Sequence, residues 1–157
     1  MFHFTYSSQT PQLQWKQRTR TMTQDDLPVL TYELSYPQLS DSGLAGKWIN
    51  RCQLHLAQVW QSRWEQVVYP RACAAQTYCL ARSIPFTPWI CSLSWEAAHP
   101  QDNLLTLRFT ALEQHTPAPP FRLMWEDLWD TRTGAPIPQK APKNAFKKIS
   151  DFFEKRG

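Results

Sequence analysis

Glycine is scarce, with four residues in a chain of 157. That scarcity excludes the glycine-rich loops of nucleotide-binding folds, which need bare backbone to approach a phosphate. Long apolar runs are also missing. No stretch reaches the length of about 18 apolar residues that a membrane-crossing helix needs. The opening Met1-Phe-His-Phe-Thr-Tyr6 lacks the basic region and apolar core of a secretory leader, so a cytoplasmic, reducing compartment is expected. Cysteine is sparse as well. Cys52, Cys73, Cys79 and Cys91 make no C-x-x-C pair and no Cys/His cluster at zinc spacing, so neither a metal nor a cofactor is expected. A domain of this size builds a core without staples, and buried free thiols are the expected state.

Aromatic residues are in excess: eight Trp, eight Phe and five Tyr, against a charged fraction of only 19%. This composition excludes general disorder. The net charge of +4 is uneven. Six of the 17 basic residues (Lys140, Lys143, Lys147, Lys148, Lys155, Arg156) fall after position 139 with two acidic ones, leaving eleven of each sign before it. A nucleic-acid binder carries basic residues along a groove or sheet face too, so nucleic acid stands only as an alternative partner, reached through Lys143, Lys147, Lys148 and Arg156. The basic tail reads as a helix capped by Asn144, with Phe146, Ile149, Phe152 and Phe153 on an apolar stripe and a solvated lysine face.

Periodicity divides the chain. Leu13, Trp15, Gln17 and Thr19 alternate with Lys16, Arg18 and Arg20, as on a half-exposed edge strand. After an Asp25-Asp26 turn, Leu30, Tyr32, Leu34 and Tyr36 alternate until Pro37, which predicts a hairpin. Asp41 or Ser42 then caps a helix to about Val68, with Ala45, Trp48, Ile49, Cys52, Leu56, Val59, Trp60 and Val67 at helical spacing. Pro70 breaks or kinks it and opens a second piece, Arg71 to about Ala81, lined by Ala74, Ala75, Tyr78 and Cys79. Period two returns at Trp89, Cys91, Leu93 and Trp95, and again at Leu105, Leu107, Phe109 and Ala111. A third such strand runs from Phe121 to Trp129. Asp130-Thr-Arg-Thr-Gly134 makes a turn, and Pro136 and Pro138 bar a central strand beyond it. The expected fold is one α+β domain: an antiparallel sheet of about five strands on a long kinked helix, with a short C-terminal helix.

The order of these elements, with Pro85-Phe-Thr-Pro-Trp89, Asn103-Leu-Leu-Thr-Leu107 and Leu128-Trp-Asp-Thr-Arg-Thr-Gly-Ala-Pro-Ile-Pro138, resembles the RsiV-like domain family. That family is the extracytoplasmic C-terminal domain of a lysozyme-responsive anti-sigma factor and of uncharacterised proteins from Gram-positive gut bacteria. Leu34-Ser-Tyr-Pro37 ahead of Ile49-Asn50 matches its entry into the long helix, and the likeness covers roughly residues 29–153. The resemblance implies a non-enzymatic binding or sensing domain whose partner is a lysozyme-like protein or a cell-wall glycan. It also marks a departure: Glu113-Gln-His-Thr-Pro-Ala-Pro-Pro120 stands where relatives carry a glycine-rich, His-containing loop.

Residue chemistry supplies the candidate site. Glu126 and Asp130 crowd one strand end, where paired carboxylates would serve a small hydrolase, while Asp127 points to the opposite face. Asp130 and Gly134 equally suit a turn, and Trp125, Leu128 and Trp129 read as burying against the helix. Cys73 near a helix start would have its thiolate favoured. His99 in the loop Ala97–Asn103 and His115 in the loop Gln114–Pro120 flank the strands, and Trp95 and Trp125 offer aromatic surface. The binding candidates are therefore His99, His115, Trp95, Trp125, Glu126 and Asp130, with no catalytic residue assigned.

Overall fold

The computed structural model describes residues 12–40 and 43–138. Two long strands, β1 (Leu13–Gln24) and β2 (Leu27–Leu39), form the expected hairpin. Asp25 and Asp26 close it at φ 50° and 63°, the paired left-handed geometry that matches strand twist in a two-residue turn. Pro37 does not end β2; it lies within the strand opposite Trp15. β3 pairs with β2 only over Leu30–Leu34, so the proline withholds no ladder bond from that neighbour.

The chain then enters α1 (Gly43–Arg63), a π-helical turn at Trp64–Val68 and α2 (Tyr69–Ala81), which follow one another without interruption. The break expected at Pro70 is absent for a local reason. Proline lacks an N–H and crowds the carbonyl four residues back. The wider turn ahead of it carries the Tyr69 N–H to the Trp64 carbonyl instead, and Pro70 falls in the first turn of α2. Because the helix continues through this point, Cys73 has no helix N-terminus beside it.

The buried line runs Gly46, Ile49, Gln53, Ala57, Trp60, Trp64, Val68, Ala72 and Gln76. Ile49 and Trp60 belong to the expected stripe, but Trp48 is 52% exposed, Val59 40% and Tyr78 54%. Small residues (Gly46, Ala57, Ala72) bring the helix close to the sheet, and a reading by side-chain apolarity favours the bulky flank over them.

After the helix come β3 (Trp89–Ala98), β4 (Leu104–Gln114), β5 (Phe121–Asp130) and the two-residue β6 (Pro136–Ile137). The six strands lie side by side in sequence order. The sheet is mixed, not antiparallel: β2 and β3 are parallel, with Leu30–Leu34 opposite Trp89–Leu93. Two adjacent strands joined through one helical crossover enter from the same end, so they must run the same way. The sixth strand pairs Pro136 and Ile137 with Trp129 and Leu128 at the outer edge, where a proline is tolerated.

The helix covers one face of this sheet. A main core gathers Leu30, Tyr32, Leu34, Trp60, Trp64, Val68, Cys91, Leu93 and Phe109, and a second cluster holds Leu39, Ile49, Leu105, Leu107 and Trp129. Burying such side chains stabilises by roughly 1.5–3 kcal/mol each. Trp125 and Trp129 share the helix side, whereas Leu128 alternates to the other, since adjacent strand residues cannot share a face. Polar ties fasten edge strand β1 to the helix. Arg20 Nη1 and the Tyr32 hydroxyl donate to Glu65 Oε1 at 2.7 and 2.6 Å, and Arg18 Nη1 donates to Gln61 at 2.9 Å. The basic face of β1, not the face carrying Trp15, therefore meets the helix. The Asp41/Ser42 cap, the C-terminal helix and the Lys140–Arg156 tail lie outside the described residues.

Candidate functional site

The ladder between β3 and β4 sets Ile90 against Gln114 and Cys91 against Glu113, which delivers His115 beside Trp89. Their rings stack, with centroids 4.3 Å apart and planes 11° from parallel. Trp89 Nε1 donates to the Thr116 carbonyl at 3.3 Å, fixing the indole under the proline-rich loop. One step deeper, the Glu113 carboxylate is fully buried and receives Arg63 Nε and Nη2 at 2.7 and 3.1 Å. His115 Nε2 stands 3.4 Å from Glu113 Oε2, a long contact. Burial alone would push the Glu113 carboxyl up, but the His115 ring and the Arg63 guanidinium outweigh it and hold the group at about 2. Burial, reinforced by the Glu113 charge, pushes the neighbouring Cys91 thiol far up, so that sulfur stays protonated.

This stacked pair forms one wall of a cleft of about 960 Å³ between α2, the 82–88 connection and the 115–118 loop. Tyr78, Ile84, Phe86 and Pro117 are among its apolar lining, with Arg71 and Cys79 also on the wall. The Arg82 guanidinium lies 3.7 Å over the Tyr78 ring, covering one aromatic face. The cleft is concave, mostly apolar and carries a few polar groups, the usual character of a ligand site. The Arg63–Glu113 pair lies behind His115 and outside the cleft lining.

The expected site residues do not converge. His115 is the one that lines the cleft. His99 sits in the β3–β4 turn, with Nδ1 3.3 Å from the Leu104 carbonyl. β4 separates that turn from the 114–120 loop by its full 11-residue length, so the two loops lie at opposite ends of the sheet. Trp95 packs against both cores and tilts on Phe109 at 5.2 Å. Trp125 donates its indole N–H to Asp127 at 2.8 Å. Burial pushes the Asp127 carboxyl up, and the Trp125 bond opposes it. Glu126 is held by Arg108 Nη2 at 2.7 Å on the sheet face away from the helix. Asp130 Oδ1 accepts the Arg132 N–H at 2.8 Å and forms the turn that Gly134 completes at φ 74°. Glu126 and Asp130 are four positions apart on the strand, about 13 Å between Cα atoms. Each carboxylate already has an arginine partner, Arg108 for Glu126 and Arg132 for Asp130.

Sequence reasoning counted Trp89 among the strand tryptophans but left it out of the site, and it passed over Arg63 and Glu113 as site residues. A signal existed for the last: Glu113 continues the buried alternation Leu105, Leu107, Phe109, Ala111, and a charge at a core position demands a partner. All four cysteines are unbridged. Among the described residues no cluster of three His, Cys, Asp or Glu is placed to hold a metal, and no helix is long and apolar enough to cross a membrane.

The architecture is an α+β domain in which a six-stranded mixed sheet carries one long helix on one face. No family model and no curated protein matches the sequence. Solved structures resemble the chain in fold. A DUF3298 family protein from Bacteroides fragilis superposes with a TM-score of 0.57 at 14% identity, over 94% of this chain and 71% of its own. Another from Pseudomonas aeruginosa gives 0.49 at 10% identity, over 94% of this chain and 66% of its own. At 14% identity the likeness to the Bacteroides protein is one of fold.

Proposed function

We propose that this is a non-enzymatic binding or sensing domain and that the cleft beside Trp89 and His115 receives an apolar segment of a protein partner. The observation that carries the reading is the cleft itself: about 960 Å³, open, aromatic-walled and braced from behind by a buried ion pair. A braced aromatic wall costs little ordering entropy on binding, which is how such surfaces contribute affinity. The RsiV-like resemblance makes a lysozyme-like protein the first partner to try. A cell-wall glycan is the second reading, favoured by the half-exposed Tyr78 ring at the rim, since sugars stack on aromatic faces.

Calorimetric titration with a C-type lysozyme and, separately, with soluble peptidoglycan fragments tests this, each at two salt concentrations. The expected result is saturable one-to-one binding that persists at the higher salt and weakens about tenfold or more in Phe86→Ala and His115→Ala. Thermal melts confirm that both variants fold. Saturation by the glycan fragments alone selects the second reading. Binding that both variants leave unchanged overturns the assignment to this cleft.

A further inference from the structure

The buried line of α1 recurs at Gly46, Ile49, Gln53, Ala57 and Trp60. The opposite side of the helix therefore carries Leu44, Lys47, Trp48, Arg51, His55 and Val59, all of them exposed. Leu44 is 86% exposed, and Trp48 stands one turn further along the same stripe. From Leu44 to Val59 is about 22 Å of helix. Apolar and basic side chains are interleaved over that length on a convex ridge.

The charge of this face is one-sided. Glu65 is the one acidic residue among positions 43–82, and it is turned inward, accepting from Arg20, Tyr32 and Gln61. Every exposed side chain over that stretch is neutral or basic. Lys47 and Arg51 enter no ion pair among the described residues. Exposed carboxylates are placed elsewhere. Glu33, Glu96 and Glu126 lie on the far face of the sheet, and Asp25, Asp26 and Asp102 lie in turns. Composition does not explain the asymmetry, since residues 1–139 hold eleven charges of each sign.

The apolar anchors discriminate among anionic partners. Phosphates of a nucleic acid would take the cations and leave Leu44 and Val59 in water. A folded acidic protein would have to supply pockets for a protruding Leu and Trp on a convex face. An anionic bilayer meets both needs, because its headgroups attract Lys and Arg while its interfacial zone takes Trp and Leu.

We propose that the outer face of α1 docks on an anionic membrane surface, with Lys47 and Arg51 on the headgroups and Leu44 and Trp48 inserted between them. The acid-bearing face of the sheet then points to water. This contact is separate from the cleft, whose helix wall begins at Arg71 on α2.

The test is sedimentation of the full chain with vesicles of phosphatidylcholine alone and of phosphatidylcholine with about one-third phosphatidylglycerol. Expected is binding to the anionic vesicles that weakens as salt rises, with none to the neutral ones. Each Lys or Arg at such a surface contributes roughly fivefold, so Lys47→Ser/Arg51→Ser should weaken binding about 25-fold. Leu44→Ser/Trp48→Ser should weaken it about tenfold or more. Thermal melts check that both variants fold. If the second does not, quenching by brominated lipid decides, and it should be stronger for the natural chain than for Trp48→Phe. Lys147→Ser/Lys148→Ser separates the contribution of the basic tail. Binding abolished in that variant but kept in both helix variants overturns the proposal. So does failure to bind anionic vesicles, and tight binding of a DNA duplex in a parallel titration would then assign this face to nucleic acid.

Discussion

The Arg63–Glu113 pair gives the sharpest test of how the cleft is held. Glu113 is wholly inaccessible and the Arg63 side chain is 8% exposed. Replacing Arg63 by Met keeps the stem and removes the guanidinium, leaving a buried carboxylate with only a 3.4 Å contact to His115. Breaking a buried pair from one side costs about 3–5 kcal/mol. The proton linkage points to the same scale. Glu113 is held at about 2 against an ordinary 4.5, which corresponds to roughly 3 kcal/mol of pH-dependent stability. The sign follows from the depressed value: this stability is present above pH 4.5 and drains away as pH falls toward 2. Denaturant titrations followed by tryptophan fluorescence, from pH 7 to pH 2, would read both effects. Arg63→Met should lose about 3–5 kcal/mol at pH 7 and part of the acid-limb slope between pH 4.5 and 2, the remainder resting on His115. Arg63→Met/Glu113→Leu should recover much of the loss, since an apolar pair leaves no charge stranded. A single variant that loses under about 1 kcal/mol and keeps the acid slope would refute the reasoning, because the carboxylate would then be stabilised by something other than Arg63.

Two further substitutions probe the frame around the site. Gly134→Ala sets a Cβ 2.8 Å from the Ala45 carbonyl at φ 74°, where both the clash and the backbone oppose it. It should destabilise by about 1–3 kcal/mol in thermal or chemical melts, and an unchanged midpoint would show that the turn moves freely away from α1. Asn50→Ala removes a two-sided clamp, in which Oδ1 accepts the Leu39 N–H at 2.6 Å and Nδ2 donates to the Leu39 carbonyl at 2.9 Å. The expected loss is about 1–3 kcal/mol with faster hydrogen exchange at Leu39, whereas unchanged exchange there would argue that water replaces the side chain.

Local patterns made much of the fold legible. The period-two runs of β1 to β5, the Asp25-Asp26 hairpin, the Asp130–Gly134 turn and the helical character of residues 43–81 all follow from side-chain alternation and turn chemistry that operate over a few residues. The parallel pairing of β2 with β3 was not readable this way, because register between strands more than fifty residues apart depends on how the helix packs. Pro70 misled for a related reason. Its covalent effect is local, but the compensating π-turn is kept by Trp64 and Val68, both fully buried in the core.

The candidate site divides along the same line. His115 was visible as a polar residue in an unusual proline-rich loop. Its stacking partner Trp89 lies 26 positions away and meets it only through the β3–β4 ladder. Arg63 and Glu113 are likewise fifty positions apart and join only when α1 lies on the sheet. Sequence by itself determined β1 to β5, the helical stretch 43–81, the turns at Asp25-Asp26 and Asp130–Gly134 and the absence of nucleotide-loop and zinc motifs, since those depend on residue type and short-range spacing. Only tertiary structure decided the mixed topology, the face that α1 buries and the residues that line the cleft. Those depend on which distant side chains the core brings within a few ångströms of one another.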